Sequence, residues 1–343
     1  MRAVVYSETG GPDVLRLVER EVAEPGPGEV RVRVVFSGVN PTDWKSRAGA
    51  SARRGAPVTG EIVPNQDGSG VVDAVGPGVD RLAPGDRVWT YLSAHQRPTG
   101  TAQEYTVLPA ERVVKLPDGA SFEVGASLGV PAMTAHRALT VAEDGPSRLA
   151  PGALDGRTVL VAGGAGAVGH AAIQLARWAG ATVITTISGT EKAALATAAG
   201  AHHVVNYRED DAAAAIRTIA PGGVHQVVEV SPSRNASLNQ AVLANHGVVA
   251  VYANDGGAGV TLDVAGHFAT NVRYQFLLLY TVGQPALDAA AEDLTRALED
   301  GALPVGEEHG LPIRRYALEQ TGDAHDAVAN GAVGKVLVEV GAP

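Results

Sequence analysis

The segment that most limits what this chain can fold into is a β-type run followed by a glycine-rich turn and a helix pattern. It occupies residues 158–180 and reads TVLVAGGAGAVGHAAIQLARWAG. The turn has the form G-x-G-x-x-G, which is weak by itself in a chain with 42 glycines but informative between a strand and an amphipathic helix. Such glycines let the backbone turn sharply and approach a pyrophosphate, while the helix directs N–H groups toward the anion.

This segment therefore predicts a dinucleotide site, with a plain tight turn as the alternative. The residues predicted to hold the pyrophosphate are Gly164, Gly166, Ala167, Val168 and Gly169.

From about residue 125 onward, β-type runs alternate with alanine-rich helix patterns, which indicates βαβ units on a parallel sheet. The predicted strands are Thr158–Ala162, Thr182–Ile187, His203–Asn206, His225–Glu229 and Gly247–Val251. Up to about residue 120 the pattern is different. Short β-type runs separated by Gly and Pro predict an antiparallel barrel or sandwich. These runs lie at 29–39, 69–79, 85–92 and 104–116, and a last one, KVLVEV, closes the chain.

Composition excludes several classes of function. The chain of 343 residues allows two domains, and its net charge of −10 argues against a broad nucleic-acid or anionic-membrane interface, because both need a basic surface. The absence of cysteine excludes disulfides, thiolate nucleophiles and cysteine-ligated zinc. The chain shows no leader pattern, and its apolar run FLLLYTV at 276–282 is too short to span a membrane. We expect a cytoplasmic protein with a small-molecule substrate, no nucleic acid and no membrane.

The strand that follows the glycine turn lacks the acidic residue that an NAD site carries at its end, near residue 188. The sequence there is ISGTEK, which offers hydroxyl, backbone and cationic donors to the extra phosphate of NADPH. The rival is Glu191, although the spacing from Ser188 to Glu191 predicts a capping box that would turn this carboxylate toward the helix start. A solvated role for Lys192 is the other alternative. The predicted contacts to this half of NADPH are Ser188, Gly189, Thr190, Lys192 and Tyr207.

With these residues in view, the chain resembles the zinc-free quinone oxidoreductase branch, similar to zeta-crystallin, of the medium-chain dehydrogenase/reductase superfamily. The resemblance runs nearly end to end. It rests on SGVNPTDWKSRAG, NQDGSGVVDAVGPGV, PGDRVW, LGVPAMTAHRAL, VAGGAGAVGHAAIQLA, AGAHHVVNY and GAVGKVLVEV.

The resemblance implies an α/β architecture with a GroES-like β-barrel substrate domain and a Rossmann cofactor domain. The expected bounds are 1–127 with 264–343 for the first, and 128–263 for the second. It implies an active site in the cleft between them and a homodimer. Zinc-dependent members place Cys, His and Cys where this chain has Asn40, Gln66 and Val130, so we expect no metal.

Without a metal, hydride is expected to flow from NADPH to an acceptor that delocalises the developing charge, such as a quinone, enone or alkenal. The resemblance places Asn40 at the nicotinamide end of the site as a donor, Thr134 near it, and Lys335 as a basic cofactor contact. Asp67 matches an acidic family position. Lys45 stands where known quinone reductases carry a tyrosine, and a lysine could protonate an enolate or bind an anionic group. Each of these residues also has an ordinary alternative role. Asn40 could be a turn residue before a proline, Thr134 a hydroxyl at a helix start and Asp67 a residue that orders local backbone. Lys45 could be exposed to solvent, and Lys335 could lie at a strand edge.

The leading hypothesis is thus an NADPH-dependent oxidoreductase. Two alternatives stay open: an enoyl reductase acting on a specialised or carrier-bound intermediate, and a catalytically inactive NADPH-binding structural or regulatory protein. In the second, the bulky segment VRYQFLLLY at 272–280 would fill the nicotinamide pocket.

Overall fold

The computed structural model describes residues 1–50, 59–255, 257 and 259–342. Internal contacts divide the chain into two compact units, Met1–Pro131 with Ile313–Pro343, and Ala132–Pro312. Residues 264–312, which the sequence prediction assigned to the substrate domain, lie with the second unit. They do so because they supply a further strand and further helices to it.

The first unit is built mainly on antiparallel strand pairs. Its strands are β1 (Arg2–Val5), β2 (Arg16–Glu19), β3 (Glu29–Val39), β4 (Asp67–Val75), β5 (Arg87–Thr90), β6 (Tyr105–Pro109), β7 (Val113–Lys115), β14 (Ile313–Ala317) and β15 (Lys335–Glu339). The larger sheet has the order β14-β15-β3-β4-β5-β7, and β6 also pairs with β3. β1 and β2 pair separately, and β14 runs parallel to β15.

The central strand β3 has the bounds that its sequence predicts. Its valines at alternate positions, Val30, Val32 and Val34, are buried, as expected for a strand with one face on a core. The single run predicted at 104–116 is instead two strands, β6 and β7, because a 3₁₀ turn at Ala110–Arg112 interrupts it.

Three α-helices lie wholly or partly within the described residues of this unit. They are α1 (Pro41–Arg47), α2 (Phe122–Leu139) and α9 (Thr321–Ala329). The second of these is kinked at Gly129, whose φ of −21° and ψ of −109° are not helical. The division between the two units falls within α2, directly after Pro131.

The second unit is a parallel sheet covered by helices. Its strands are β8 (Thr158–Ala162), β9 (Thr182–Ile187), β10 (His203–Asn206), β11 (Val224–Glu229), β12 (Leu243–Val251) and β13 (Arg273–Phe276). They lie in the order β10-β9-β8-β11-β12-β13, and each neighbouring pair is parallel. This is the strand order typical of dinucleotide-binding domains. The predicted bounds of β8, β9 and β10 are confirmed, whereas β12 begins before Gly247.

The helices of the second unit follow its strands in alternation. They are α3 (Ala167–Trp178), α4 (Thr190–Ala198), α5 (Ala212–Ile219), α6 (Pro232–Val242), α7 (Val264–Thr270) and α8 (Gln284–Glu299). The segment after α8 is fixed to α3, because His170 Nε2 lies 2.8 Å from the His309 carbonyl oxygen and Gln174 Nε2 donates to that of Pro304 at 2.9 Å. This packing explains why the second unit extends to residue 312. No helix in the described ranges is both long and apolar enough to cross a bilayer.

Candidate functional site

The glycine-rich turn lies at the carboxyl edge of the parallel sheet, between β8 and α3. Gly163 has a φ of +72°, which favours glycine, and its N–H donates to the Thr186 carbonyl at 3.1 Å. Gly166 is the N-cap residue of α3. Since β8 lies between β9 and β11, the turn occupies the point where chain order along the sheet reverses, which is where such sheets bind ligands.

The three glycines of the motif are needed for different reasons. A Cβ atom at Gly164 would overlap Thr185 Oγ1, and one at Gly169 would overlap the Gly163 carbonyl oxygen, so both allow close packing. A Cβ atom at Gly166 would meet nothing nearer than that carbonyl oxygen at 3.5 Å, and Gly166 is exposed. The structure leaves open space beside the Gly166 backbone. We call the turn from Gly164 to Gly169 the glycine cradle, and its open side fits an approaching pyrophosphate.

The first turn of α3 supplies donors to the same cradle. Ala167 and Val168 are half-buried, and Gly169 follows them in the helix. The first N–H groups of a helix have no intrahelical acceptor and carry its positive dipole end. The turn therefore presents free donors and a favourable field to an anion.

The ends of β9 and β10 place the other predicted cofactor residues side by side. Asn206 pairs with Ile187 across the two strands, and the N–H of Tyr207 donates to the Ile187 carbonyl at 3.2 Å. Ser188 follows β9 directly, and Lys192 Nζ lies 3.4 Å from Ser188 Oγ. The Tyr207 side chain is 52% exposed. A hydroxyl, a cation and an aromatic ring thus share one edge with the glycine turn.

The predicted capping box of Ser188 and Glu191 is wrong. The N-cap residue of α4 is Gly189, in extended conformation, and no side chain caps the helix. The Ser188 hydroxyl is one residue too early and bonds to Lys192 instead, while Thr190 and Glu191 are exposed. Glu191 is therefore directed to solvent rather than toward the helix start.

Sequence reasoning missed Arg208 at this edge. This exposed residue follows Tyr207, and its N–H donates to Asn206 Oδ1 at 3.2 Å. The sequence could have indicated Arg208 through its position directly after β10, in the motif VVNYRED. Arg208 adds a second cation to the edge where β9 carries no acid, so the set fits a dinucleotide that bears an extra phosphate.

A second cluster, wholly within the first unit, surrounds Asn40. This residue is 2% exposed and forms the N-cap of α1, where its N–H donates to Asp43 Oδ2 at 2.7 Å. Its side-chain Nδ2 donates to Asp67 Oδ2 at 2.6 Å, and its Oδ1 accepts from Lys335 Nζ at 2.8 Å. Asn40 thus has the turn position that was its alternative role, and its amide is also bonded to two charged groups.

Lys335 is the first residue of β15, which lies between β14 and β3. It is 1% exposed, so the alternative of a strand-edge lysine is wrong. Its ammonium also donates to the Val39 carbonyl at 3.2 Å. Burial lowers the pKa of Lys335, while the charges of Asp67 and Asp43 oppose this effect.

The two carboxyl groups of the cluster differ in pKa. Burial raises the pKa of Asp67 to about 6, although Lys335, the Asn40 amide and the Val130 N–H favour its charged form. Burial, and then the charge of Asp67, raise the pKa of Asp43 to about 8. Both carboxyl groups therefore bind a proton more readily than an exposed aspartate does, and Asp43 more so than Asp67. The sequence analysis did not select Asp43 as a site residue, although it follows Asn40 by three residues, the spacing of a capping box at a helix start.

The other two predicted catalytic residues lie on α1 and on α2. Lys45, on α1, is half-buried, and its amino group lies 5.6 Å from the centroid of the Trp44 ring. Thr134 is 6% exposed and lies beyond the kink of α2, in the second unit. Within the first unit, the structure joins Asn40 to Asp67 and Lys335.

The residues at the zinc positions of related enzymes do not fit a zinc ion. Asn40 and Gln66 are amides, Val130 is aliphatic, and the Asn40 side chain and the Val130 N–H are both bonded to Asp67. Within the described part of the chain, no group of three or more His, Asp or Glu is placed to hold a metal.

Two family models match the chain, one in each unit. Residues 26–118 match the alcohol dehydrogenase GroES-like domain. Residues 167–296 match the family described as zinc-binding dehydrogenase.

Known proteins similar to the chain match it along nearly its whole length. A quinone oxidoreductase of Lama guanicoe is 32% identical, over 98% of this chain and 97% of that protein. A 2-haloacrylate reductase of Burkholderia is also 32% identical, over 95% and 94%. The structure of Escherichia coli quinone oxidoreductase complexed with NADPH is similar with a TM-score of 0.80 and 25% identity, covering 99% of this chain and 100% of that one. The chain therefore belongs to the medium-chain dehydrogenase/reductase superfamily, in its quinone oxidoreductase branch.

Proposed function

We propose that this protein is an NADPH-dependent reductase that transfers hydride to quinones or α,β-unsaturated carbonyl compounds without zinc. The observation that carries the proposal is the carboxyl edge of the parallel sheet. There an open glycine cradle lies beside a strand that ends in Ser188 with Lys192 next to it, instead of in an acid. The names of the relatives support the acceptor class, since they include a quinone and an unsaturated acid.

NADPH, when bound, supplies the hydride, and the second unit provides the residues to hold it. In this proposal the turn from Gly164 to Gly169 binds the pyrophosphate. Ser188, Gly189, Thr190 and Lys192 bind the extra phosphate, and Tyr207 packs against the adenosine. A carboxylate at the end of β9 would repel a dianionic phosphate, and its absence favours NADPH over NADH.

In this proposal Asn40 and Lys45, both in the first unit, act on the acceptor. An acceptor that gains hydride at carbon develops negative charge on its oxygen, and a fixed hydrogen-bond donor lowers the energy of that state. Asn40 is our candidate for this donor, because its amide is buried and held on both sides. We propose that Lys45 and Thr134 assist in binding the acceptor. The contact of Lys335 with the cofactor stays a prediction. In the structure its ammonium is bonded to the Val39 carbonyl and to the Asn40 side chain.

The test is a cofactor and acceptor panel. Purified protein is mixed with NADPH or NADH and with quinones, enones, alkenals and 2-haloacrylate, and cofactor oxidation is followed at 340 nm. We expect NADPH oxidation with at least one conjugated acceptor and none with saturated ketones, which cannot delocalise the charge. Tight NADPH binding without turnover of any acceptor would instead favour an inactive binding protein.

We also propose a cytoplasmic homodimer. β13 is the last strand of the parallel sheet, and its final residue Phe276 and the nearby Leu278 are 62% and 48% exposed. Phe268 on α7, the helix before this strand, is 79% exposed. Such apolar surface beside a strand edge that pairs with no other described strand fits pairing with a second copy. Because Phe276 and Leu278 are largely exposed, they are available for such a contact.

A further inference from the structure

The side-chain amide of Asn40 lies between a cation and an anion. Its Oδ1 is 2.8 Å from the ammonium of Lys335, and its Nδ2 is 2.6 Å from the carboxylate of Asp67. All three side chains are at most 2% exposed. Hydrogen bonds to charged groups are roughly twice as strong as those between neutral partners, so these two contacts dominate the environment of the amide.

The charges permit one orientation of this amide. An ammonium can only donate hydrogen bonds and an ionised carboxylate can only accept them. Reversing the amide would place NH₂ against the ammonium and the carbonyl oxygen against the carboxylate, so both contacts would become repulsive. The orientation of Asn40 is therefore set by two opposite charges and not by packing alone.

The anionic side of this arrangement is held rigidly. The Val130 N–H lies 2.9 Å from both carboxylate oxygens of Asp67, and Thr101 Oγ1 donates to the Asp67 carbonyl at 2.6 Å. A Cβ atom at Gly129 would overlap the Asp67 carboxylate. The kink of α2 at this glycine thus both makes room for the carboxylate and directs an N–H toward it.

The cationic side is held in a similar way. Lys335 also donates to the carbonyl of Val39, the residue before Asn40. A Cβ atom at Gly38 would overlap the Ala126 carbonyl oxygen and would also lie 3.3 Å from Lys335 Cε, so the glycine allows close packing beside the lysine stem. Both charged groups are therefore placed by the backbone around Asn40.

We propose that Asp67 and Lys335 are positioning residues that together fix the orientation of the Asn40 amide, an arrangement we call the amide clamp. The inference rests on the proposed function. Within the described residues no protein acceptor takes the second hydrogen of Asn40 Nδ2, and the clamp keeps this N–H available to the acceptor oxygen that gains charge. Lys335 thus acts through Asn40 rather than on the cofactor.

The test is a double-mutant cycle with Asn40→Ala, Lys335→Met and the combination. Loss of a hydrogen bond to a charged group corresponds to about tenfold or more, so we expect Lys335→Met to lower kcat at least tenfold. NADPH affinity, measured by fluorescence titration, should change less than twofold. In the Asn40→Ala background, Lys335→Met should lower kcat no further, because the group on which it acts is gone.

Arg31→Met is the matched control. Arg31 is a cation on β3 that pairs with Asp73 on β4, so it joins the same two strands that carry Val39 and Asp67 without contacting Asn40. We expect its kcat to be unchanged. Losses that multiply in the double variant, together with weaker NADPH binding by Lys335→Met alone, would overturn the clamp and make Lys335 a cofactor contact.

Two further measurements keep the proposal testable. If Lys335→Met does not fold, Asp67→Asn tests the other side in the same cycle, with the same expected result. If the wild-type protein reduces no acceptor, the proposed function fails, and the clamp is then judged by thermal unfolding. We expect the shift of the midpoint caused by Lys335→Met to differ between the wild-type and Asn40→Ala backgrounds, and equal shifts would refute the clamp.

Discussion

Replacing Lys192 with alanine tests the choice of cofactor. Lys192 is half-buried, and its amino group lies 3.4 Å from the hydroxyl of Ser188, at the end of a strand without a carboxylate. A hydrogen bond to a charged group contributes about 1.5–3 kcal/mol, and each 1.4 kcal/mol is about tenfold in affinity. We therefore expect Lys192→Ala to raise the Kd for NADPH by about 10- to 100-fold.

The loss for NADH should be much smaller. NADH presents a hydroxyl where NADPH presents a dianionic phosphate, and a hydrogen bond between neutral partners contributes only about 0.5–1.5 kcal/mol. The preference for NADPH, expressed as the Kd for NADH divided by the Kd for NADPH, should therefore fall by roughly tenfold. Both constants are measured by fluorescence titration of the reduced cofactors, at low and at raised ionic strength. Salt should weaken NADPH binding by the wild-type protein more than by the variant, because screening acts on the charge that was removed.

Glu191→Ala is the matched control, since Glu191 is the exposed neighbour of Lys192 in the same helical turn. Removing this negative charge should leave NADPH affinity unchanged or slightly improved. Equal losses of NADPH and NADH in Lys192→Ala would refute the assignment of the phosphate site to the end of β9. A large loss of NADPH affinity in Glu191→Ala would show that this carboxylate binds the cofactor.

Four further predictions follow from the same contacts. Asn40→Ala should lower turnover while NADPH affinity is retained, and unchanged turnover would reduce Asn40 to a helix cap. Gly164→Ala should destabilise the fold, because its Cβ would overlap a neighbouring hydroxyl, whereas Gly166→Ala should fold normally and bind NADPH more weakly; thermal unfolding and titration separate the two. Burial raises the pKa of Asp43 to about 8, so the folded state holds a proton that the unfolded state releases near pH 4. The stability that this group contributes is complete below about pH 4. It decreases as the pH rises and is lost once the pH has passed the folded-state pKa of about 8. Asp43→Asn should remove this part of the pH dependence of the unfolding midpoint, and identical profiles would contradict it. Phe276→Asp should shift light-scattering mass toward the monomer, and an unchanged dimer would move the interface elsewhere.

The sequence was sufficient to predict an element where the local residue pattern and the tertiary fold favour the same structure. The alternating valines of β3 predicted its bounds, and the β-type runs at 158–162, 182–187 and 203–206 predicted three parallel strands. The sequence was not sufficient to predict which residue caps the start of α4. The S-x-x-E spacing favours a capping box locally, but β9 ends so that Gly189 becomes the N-cap residue. A shift of one residue at a strand end, set by pairing with β10, moved the hydroxyl from the helix to Lys192.

The amino-acid sequence by itself determined the glycine cradle, the missing acid at the end of β9 and the loss of zinc-type ligands, because each depends on the chemistry of single positions. Only the tertiary structure decided what Asn40, Asp67 and Lys335 do. Each has an ordinary alternative as a turn residue, a backbone-ordering acid or an edge lysine. Burial of their charges and the direction of their hydrogen bonds arise when distant strands pack together. Because desolvation and pairing of charges are properties of that packing, no local pattern could reveal that a lysine near the carboxyl terminus orients an amide near the amino terminus.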